Sequence, residues 1–341
     1  MRTKKWVYTA MVLWGFAAIV PEILRSMQSS TPNAETAAVP QEDADIFDED
    51  DLPQVRFGVE VRMVSVPVTV RRADGSFHKG LTQKSFKIHE DGEEQEIVFF
   101  AEETVPTHIA IVLDISGSVR PEWGTIQHAT RRFLEQLSPD DRFSLTTFND
   151  EVRLKIPWGN ATNNVNAVLT SVYCQGVTKL WDAVGVVSTD VFAGVEGKKA
   201  MIIMTDGMDN QSYETYASAV RAAVENEIAV YIVSKAEALL RYYEYLYPDG
   251  IPYEYFSQAE SVLRQLAHDT GGRVLKPNNF GQLDDIYAEV TEELRNQYTV
   301  GYISSNTAKD GSYRKIDVSV SARDAPNTAI TARPGYYAQR P

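Results

Sequence analysis

The sequence is poor in cysteine and in basic residues. Cys174 is the only cysteine among 341 residues, so no intramolecular disulfide can form and the fold has to rest on its hydrophobic core. We expect this cysteine to be a small buried apolar residue, although a lone cysteine also fits a nucleophile. Lysine and arginine number 33 against 47 aspartate and glutamate residues, which gives a net charge of −14. This excess of acidic residues is unlike the basic surface of a nucleic-acid-binding protein, and it disfavours binding to an anionic membrane surface. Cations or basic patches on proteins are therefore the natural partners.

The amino-terminal residues have the pattern of an export signal. A basic start, Arg2 to Lys5, precedes the uncharged apolar run Trp6–Val20. The run is shorter than the roughly 20 residues of a membrane-spanning helix and suits a signal peptide, but no small-x-small cleavage site follows it directly. Residues 1–25 are therefore interpreted as a signal peptide or as an uncleaved membrane anchor. Both interpretations predict an exported protein that is periplasmic or extracellular.

The next segment and the two flanks of the chain differ in their hydrophobic patterns. Residues 26–54 have no hydrophobic period and end in an acidic run, which is typical of a solvated, disordered linker. Residues 55–104 and 298–341 alternate apolar and polar residues with the period of half-buried strands, and Asp91-Gly92 marks a hairpin turn. Because short isolated hairpins are only marginally stable, we expect the two flanks to pair into one small β-sandwich.

Residues 105–297, between the flanks, alternate strand-like and helix-like segments. The continuous apolar runs His108–Leu113 and Ala200–Met204 are typical of strands buried on both faces. Segments such as Pro121 to Leu137 have apolar residues at helical spacing. This order predicts a doubly wound, Rossmann-like α/β domain with a mostly parallel sheet, inserted between the β-rich flanks.

Polar side chains gather at the predicted ends of three segments of this domain. The first buried strand ends in Asp114–Ser118, with the pattern D-x-S-x-S; a later loop contains Gly176-Val177-Thr178; and the fourth strand ends in Thr205-Asp206-Gly207. If the strand order is 3-2-1-4-5, the first and fourth strands are neighbours and the order reverses between them. Ligands bind outside the carboxyl ends of strands at such a switch point.

All the ligands that this constellation offers are oxygen atoms, from Asp114, Ser116, Ser118, Thr178 and Asp206. A set without cysteine or histidine favours Mg²⁺, Mn²⁺ or Ca²⁺ over zinc. Only two of the five ligands are anionic, so a bound cation stays short of electrons and keeps an open position. A carboxylate from another molecule is the best ligand for that position.

The three segments resemble, in order and separation, the metal-ion-dependent adhesion site of von Willebrand factor A-type (VWA) domains, and the resemblance covers about Thr107 to Gln297. It implies direct coordination by Ser116 and Ser118, direct or water-mediated coordination by Thr178, and mostly water-mediated contacts from the two aspartates. We expect Asp182 to cap or brace the loop rather than bind the metal. Asp209 is interpreted as a turn residue or, alternatively, as a residue that tunes the site, while Arg120 and Lys179 suit contacts with solvent or a partner.

The flanks resemble a narrower group of exported bacterial VWA-related proteins. The marks of this group are segments like Leu81–Gly92 before the domain, Gln297–Tyr302 after it, and an ending like Arg333–Tyr337. This second resemblance supports the architecture and export more than a particular task.

These observations predict a non-enzymatic protein that binds an Asp or Glu carboxylate of a protein partner through a divalent cation, outside the cytoplasm. One alternative is a scaffolding or regulatory subunit of a cell-envelope complex. A metal-assisted hydrolase is a third hypothesis, but it needs a general base or nucleophile beside the open coordination position, and the motif loops offer only hydroxyls.

An insertion at residues 236–256 follows the fifth strand on the expected metal face. It is rich in tyrosine, which gives large contact area at low entropic cost. We interpret it as a partner-binding rim or, alternatively, as a segment that packs on the domain. The candidate contact residues are Tyr242, Tyr243, Tyr245, Tyr253 and Tyr255.

Overall fold

The computed structural model describes residues 63–102, 106–160, 164–234, 253–277 and 282–340. The predicted signal peptide or anchor at residues 1–25 and the predicted linker at 26–54 lie outside this part of the chain. Within it, no helix is both long enough and apolar enough to cross a membrane.

Strands and short helices alternate along the described chain. The strands are β1 Met63–Arg71, β2 Phe86–Glu90, β3 Glu93–Gln95, β4 Ile97–Ala101, β5 Thr107–Asp114, β6 Arg142–Phe148, β7 Val152–Gly159, β8 Lys198–Thr205, β9 Ile228–Ser234, β10 Val274–Leu275, β11 Tyr298–Ile303, β12 Tyr313–Val320, β13 Ala329–Ala332 and β14 Gly335–Tyr337. The α-helices are α1 Trp123–Gln136, α2 Val165–Thr170, α3 Leu180–Val186, α4 Tyr216–Glu225, α5 Tyr253–Thr270 and α6 Leu283–Arg295.

The central sheet has the strand order β10-β9-β8-β5-β6-β7. β5 runs parallel to both β6 and β8, β8 runs parallel to β9, and only the edge strand β7 is antiparallel to its neighbour. The first and fourth strands of the domain, β5 and β8, are therefore adjacent, and the order reverses between them. The predicted fold class, a doubly wound and mostly parallel α/β sheet, is confirmed.

β5 shows why the buried strands have no polar alternation. Ile109, Ile111 and Leu113 pack into the core layer that contains α1 and α6, whereas Ala110 and Val112 pack into the layer on the other face, with α3 and α4. None of these side chains is more than 1% exposed. Helices cover both faces of the sheet, so both sets of alternating side chains have to be apolar.

The two flanks pair with each other in two antiparallel sheets. One has the order β13-β1-β11-β4 and the other β14-β12-β2-β3. β1, from the amino-terminal flank, lies between two strands of the carboxyl-terminal flank, and β2 pairs with β12. The sheets share one apolar core that includes Val66, Ile88 and Val300, each fully buried. The expected β-sandwich of the two flanks is thus confirmed.

A buried carboxylate links the sandwich to the α/β domain. Glu293 of α6 is 1% exposed and accepts a hydrogen bond of 2.7 Å from Arg71 of β1. Arg273, just before β10, donates to the same carboxylate, and the Tyr231 hydroxyl lies 3.3 Å from its other oxygen. Because a buried charge is tolerated only when paired, this cluster ties β1 to the last helix of the central domain.

Candidate metal centre

Asp114 ends β5 at the switch point, with its carboxylate 1% exposed. One oxygen accepts a hydrogen bond of 2.9 Å from the backbone N–H of Ser116, which closes a tight turn directly after the strand. The other lies 3.1 Å from the hydroxyl of Thr205, at the end of the neighbouring strand β8. The aspartate is therefore oriented from two strands at once.

The two serines of the D-x-S-x-S motif extend from this turn towards Asp206. The Ser116 and Ser118 hydroxyl oxygens are 3.2 Å apart, and the Ser118 hydroxyl lies 3.3 Å from a carboxylate oxygen of Asp206. Asp206 is 2% exposed, and its other oxygen accepts a hydrogen bond from the N–H of Met208. Four of the five predicted ligands thus form one continuous cluster.

Thr178, the fifth, lies in a loop that is hydrogen bonded to the turn of the D-x-S-x-S motif. Its N–H donates to the side-chain oxygen of Asn210, and its carbonyl accepts from the N–H of Asn210, both at 3.1 Å. The carbonyl of Gly176 accepts from the N–H of Gly117, between the two serines. Thr178 itself is 4% exposed. No local sequence pattern marks Asn210, because this pairing joins segments 32 residues apart.

The turn between β6 and β7 forms hydrogen bonds with the loop that contains Thr178. Asp150 in this turn lies 3.3 Å from the N–H of Val177, and the side-chain amide of Asn149 donates to the carbonyl of Gln175. Gly176 has a φ of +82°, and a Cβ there would lie 1.9 Å from a carboxylate oxygen of Asp150. Only glycine fits both the backbone conformation and the space.

Two further aspartates hold the loops in place. Asp182 accepts hydrogen bonds of 2.8 Å from the N–H groups of Tyr213 and Glu214, which confirms that it braces the loop after Asp206. Asp209 lies in a turn, as expected, and also accepts from the N–H of Leu180 at 2.8 Å, the first residue of α3. The N-cap residue of this helix is Lys179, whose side chain has no oxygen that could cap the helix. This absence in the sequence indicates that another segment supplies the cap.

The basic residues of the motif loops lie against exposed aromatic rings. The Arg120 guanidinium donates to the carbonyl of Cys174 and lies 5.1 Å from the ring centre of Tyr173; the Lys179 ammonium lies 4.1 Å from that of Tyr213. Tyr173 is 64% exposed and Tyr213 89% exposed. Sequence reasoning missed both tyrosines, since nothing in their local pattern marks exposure. The Cys174 side chain is buried, as predicted.

The donor set fits a divalent cation. Six oxygens around Mg²⁺ at about 2.0–2.1 Å lie about 2.9 Å from their neighbours, and around Ca²⁺ at about 2.3–2.6 Å they lie about 3.3–3.7 Å apart. The Ser116–Ser118 separation of 3.2 Å lies between these values, and the Ser118–Asp206 separation of 3.3 Å lies at the lower end of the calcium range. Both exceed the usual O–H···O distance of about 2.7–2.8 Å. Across the part of the chain that the structure describes, histidine, cysteine and acidic residues form no cluster of three or more that would compete for a metal ion.

The predicted tyrosine-rich rim falls largely outside the described residues. Tyr242, Tyr243 and Tyr245 lie in the undescribed segment 235–252, and Tyr253 and Tyr255 belong to α5 with side chains that are not described. The partner-binding role of these tyrosines stays a prediction.

Comparison with known proteins identifies the central region. The sequence model of the von Willebrand factor type A domain family matches residues 108–289, which are more than half of the 341 residues. No curated protein matches the chain significantly.

Three solved structures illustrate the similarity. An aerotolerance-related membrane protein from Bacteroides fragilis is 15% identical, with a TM-score of 0.43, and the match covers 55% of this chain and 98% of that one. The conserved hypothetical protein BatB from Bacteroides thetaiotaomicron is 18% identical over 55% of this chain and 98% of its own, with a TM-score of 0.42. Proximal thread matrix protein 1 from the mussel byssus is 17% identical over 56% of this chain and 48% of its own, with a TM-score of 0.42.

Proposed function

Because the chain belongs to the von Willebrand factor type A domain family, we propose that it binds a protein partner through a divalent cation and performs no catalytic turnover. Membership of this family supports a role in protein interaction or adhesion in general, and its domains commonly bind a divalent metal. The observation that carries the proposal for this chain is the buried, hydrogen-bonded cluster of Asp114, Ser116, Ser118 and Asp206 at the carboxyl ends of β5 and β8.

The cation is held by these four residues together with Thr178. Mg²⁺ is the first choice, with Mn²⁺ and Ca²⁺ as alternatives, since every donor is an oxygen. When bound, the cation supplies positive charge that two carboxylates balance and an open position for an Asp or Glu side chain of the partner. The partner is recognised by that carboxylate.

The surroundings of the site suit an acidic partner. Arg120 and Lys179 flank the cluster in a chain whose net charge is −14, and both lie on exposed tyrosine rings. A basic side chain over an aromatic face combines charge with apolar contact area. Tyr173 and Tyr213 are therefore the first candidates for partner contacts among the described residues.

We place this binding outside the cytoplasm, in the periplasm or the extracellular space. The proposal of export depends on the basic start and the apolar run Trp6–Val20, which are sequence patterns. A fixed subunit of a cell-envelope complex is the second candidate function, and it uses the same metal site to hold one permanent partner.

Hydrolysis is the weaker hypothesis. Metal-assisted hydrolysis needs a group that activates water beside the cation. The basic residues in the motif loops are Arg120, which hydrogen bonds the Cys174 carbonyl, and Lys179, which lies on the Tyr213 ring. Neither contact is the arrangement of a general base.

The first experiment is calorimetric titration of the full-length chain with MnCl₂ and MgCl₂. We expect binding by the wild type, no binding by Asp114→Ala or Asp206→Ala, and wild-type binding by Asp140→Ala. Asp140 is exposed and lies two residues before the start of β6, at the opposite end of the sheet, so it controls for loss of one negative charge. Equal Mn²⁺ binding by the Asp114→Ala and Asp206→Ala double variant would refute the site.

The second experiment tests the role of the cation in partner binding. Immobilised wild type and Asp114→Ala protein are each incubated with an envelope fraction in Mg²⁺ and in EDTA. We expect the wild type to retain proteins in Mg²⁺ that it does not retain in EDTA. Retention that is identical in EDTA and by the variant would mean that binding does not use the metal.

A further inference from the structure

A cavity lies at the other end of the central sheet from the metal centre. It has a volume of about 330 Å³ and lies between the β-sandwich and the amino-terminal ends of β8 and β9. β1 and β4 contribute Pro67 and Phe99 from the sandwich, and the α/β domain contributes Ile228 and Leu294. Cavities of this size at the junction of two structural units are the usual places for small-molecule ligands.

Arg333 lines this cavity and is 5% exposed. One terminal nitrogen, Nη2, donates to the carbonyl of Ser65 at 2.7 Å and lies 3.4 Å from the carboxylate of Glu227. The other two nitrogens, Nε and Nη1, are buried and have no hydrogen-bond partner among the described residues. Buried charged donors without an acceptor are costly, so these N–H groups favour a ligand that accepts hydrogen bonds.

Basic side chains outnumber acidic ones in the lining of the cavity, although the whole chain is acidic. Three cations, Lys198, Lys199 and Arg333, line it together with one carboxylate, that of Glu227. The Lys198 ammonium donates to the carbonyl of Leu294, at the end of α6. The rest of the wall is mainly aliphatic and aromatic. The lining therefore suits a molecule with one anionic end and an apolar body.

We propose that this cavity binds a small carboxylic acid with an apolar body of about ten carbon atoms, whose carboxylate accepts hydrogen bonds from Arg333. The size follows from the volume: a water-sized group takes about 30 Å³ in a liquid, so the cavity holds about eleven such groups. The site is separate from the proposed cation site and does not depend on it.

The test uses decanoate as the probe, below its micellar concentration, and isothermal titration of the full-length chain. 1-Decanol has the same body without the charge, and acetate has the charge without the body. Decanoate is expected to bind about tenfold or more tightly than either, because a hydrogen-bonded charge and a buried chain each contribute at least that factor. Equal binding of decanol and decanoate would overturn the anionic half of the proposal.

Variants separate this site from nonspecific binding. Arg333→Met is expected to weaken decanoate binding about tenfold or more, whereas Arg323→Met removes an exposed arginine and leaves it unchanged. Since Arg333→Met also removes two native contacts, Ala101→Trp provides a second variant that fills the cavity and keeps every charge. It should abolish binding while the circular dichroism spectrum stays that of the wild type.

Two results contradict the proposal outright. One is decanoate binding that survives in the Ala101→Trp variant, which would place the ligand elsewhere. The other is absence of decanoate binding by the folded wild type, which would leave the cavity as a water-filled space. Repeating the titration in EDTA and with Asp114→Ala should leave decanoate affinity unchanged, so failure of the metal proposal and failure of this one are distinguishable.

Discussion

Gly176 is the residue on which the position of Thr178 depends most directly. Its φ of +82° disfavours any side chain, and an added Cβ would collide with the Asp150 carboxylate. Gly176→Ala should therefore push the Thr178 loop away from the serines and lower Mn²⁺ affinity about tenfold, with the fold retained. Calorimetric titration measures the change.

The collision itself can be separated from the backbone strain. Asp150→Ala removes the atoms that the new Cβ would meet, so adding it to Gly176→Ala should restore part of the affinity. Asp150→Ala alone is the control, because it also removes a contact to the N–H of Val177. Wild-type affinity in Gly176→Ala would show that the loop tolerates a side chain.

Individual ligands were predictable from the sequence where a strand end sets their direction. Asp114, Ser116 and Ser118 alternate along one segment, so they point to one place once β5 is recognised as a buried strand. The supporting residues Asn210 and Asp150 were not predictable in the same way. They reach Thr178 and Val177 across 32 and 27 residues, and only the folded chain sets those pairs.

Among the helices, α3 depends on a cap from another segment. Asp209 accepts hydrogen bonds from the first N–H of α3 and from the Ser212 hydroxyl, which itself lies 3.0 Å from the N–H of Trp181. Asp209→Ala should lower the free energy of unfolding by about 1 kcal/mol, as loss of an N-cap does. Urea denaturation measures this, with Asp140→Ala as the exposed control. A change no larger than that of the control would mean that other groups cap the helix.

The helix after Thr178 also shows the limit of periodicity. Apolar residues continue at helical spacing from Leu180 to Phe192, but α3 ends at Val186 and a π-helical turn follows over Val187–Val191. The N–H of Phe192 donates to the carbonyl of Val187, five residues back. The π-helical turn is the last turn of the helix, so almost no residues follow its change of helical phase and the apolar pattern does not reveal it. The mostly parallel sheet, in contrast, was predicted from the alternation of strands and helices along the chain.

For the molecule as a whole, the cluster around Glu293 joins the sandwich to the central domain. Arg71 comes from β1, and Arg273 precedes β10, so the carboxylate holds groups from both parts. Glu293→Ala leaves two arginines without their shared partner. Because both arginines retain some solvent contact, we expect a loss of about 2–3 kcal/mol, below the cost for a fully buried pair. Glu292→Ala, at an exposed neighbouring position on the same helix, should change stability little. Equal denaturation midpoints for the two variants would contradict the role of this cluster.

Because of Lys198, the free energy of unfolding should change with pH in the alkaline range. Burial at the start of β8 lowers the pKa of its ammonium from 10.5 to about 8, against the opposing effect of Asp141 and Glu293. Between pH 8 and 10.5 the unfolded chain therefore binds a proton at this group that the folded chain has lost. Stability rises with pH across that window, and below pH 8 the folded protein carries a constant cost of about 3 kcal/mol from this group.

Lys198→Met removes the titrating group and keeps an apolar chain of similar length. The variant should be more stable than the wild type at pH 7, and its advantage should shrink by up to about 3 kcal/mol as the pH rises from 8 to 10.5. Part of the gain at pH 7 is offset, because the variant also loses the hydrogen bond from Lys198 to the Leu294 carbonyl at the end of α6. The slope with pH is therefore the sharper measurement, taken by urea denaturation at several pH values without added carboxylic acid. Lys309→Met, at an exposed position, is the control. A difference between Lys198→Met and the wild type that stays constant from pH 7 to 10.5 would show that burial does not lower the pKa of Lys198 in the folded protein.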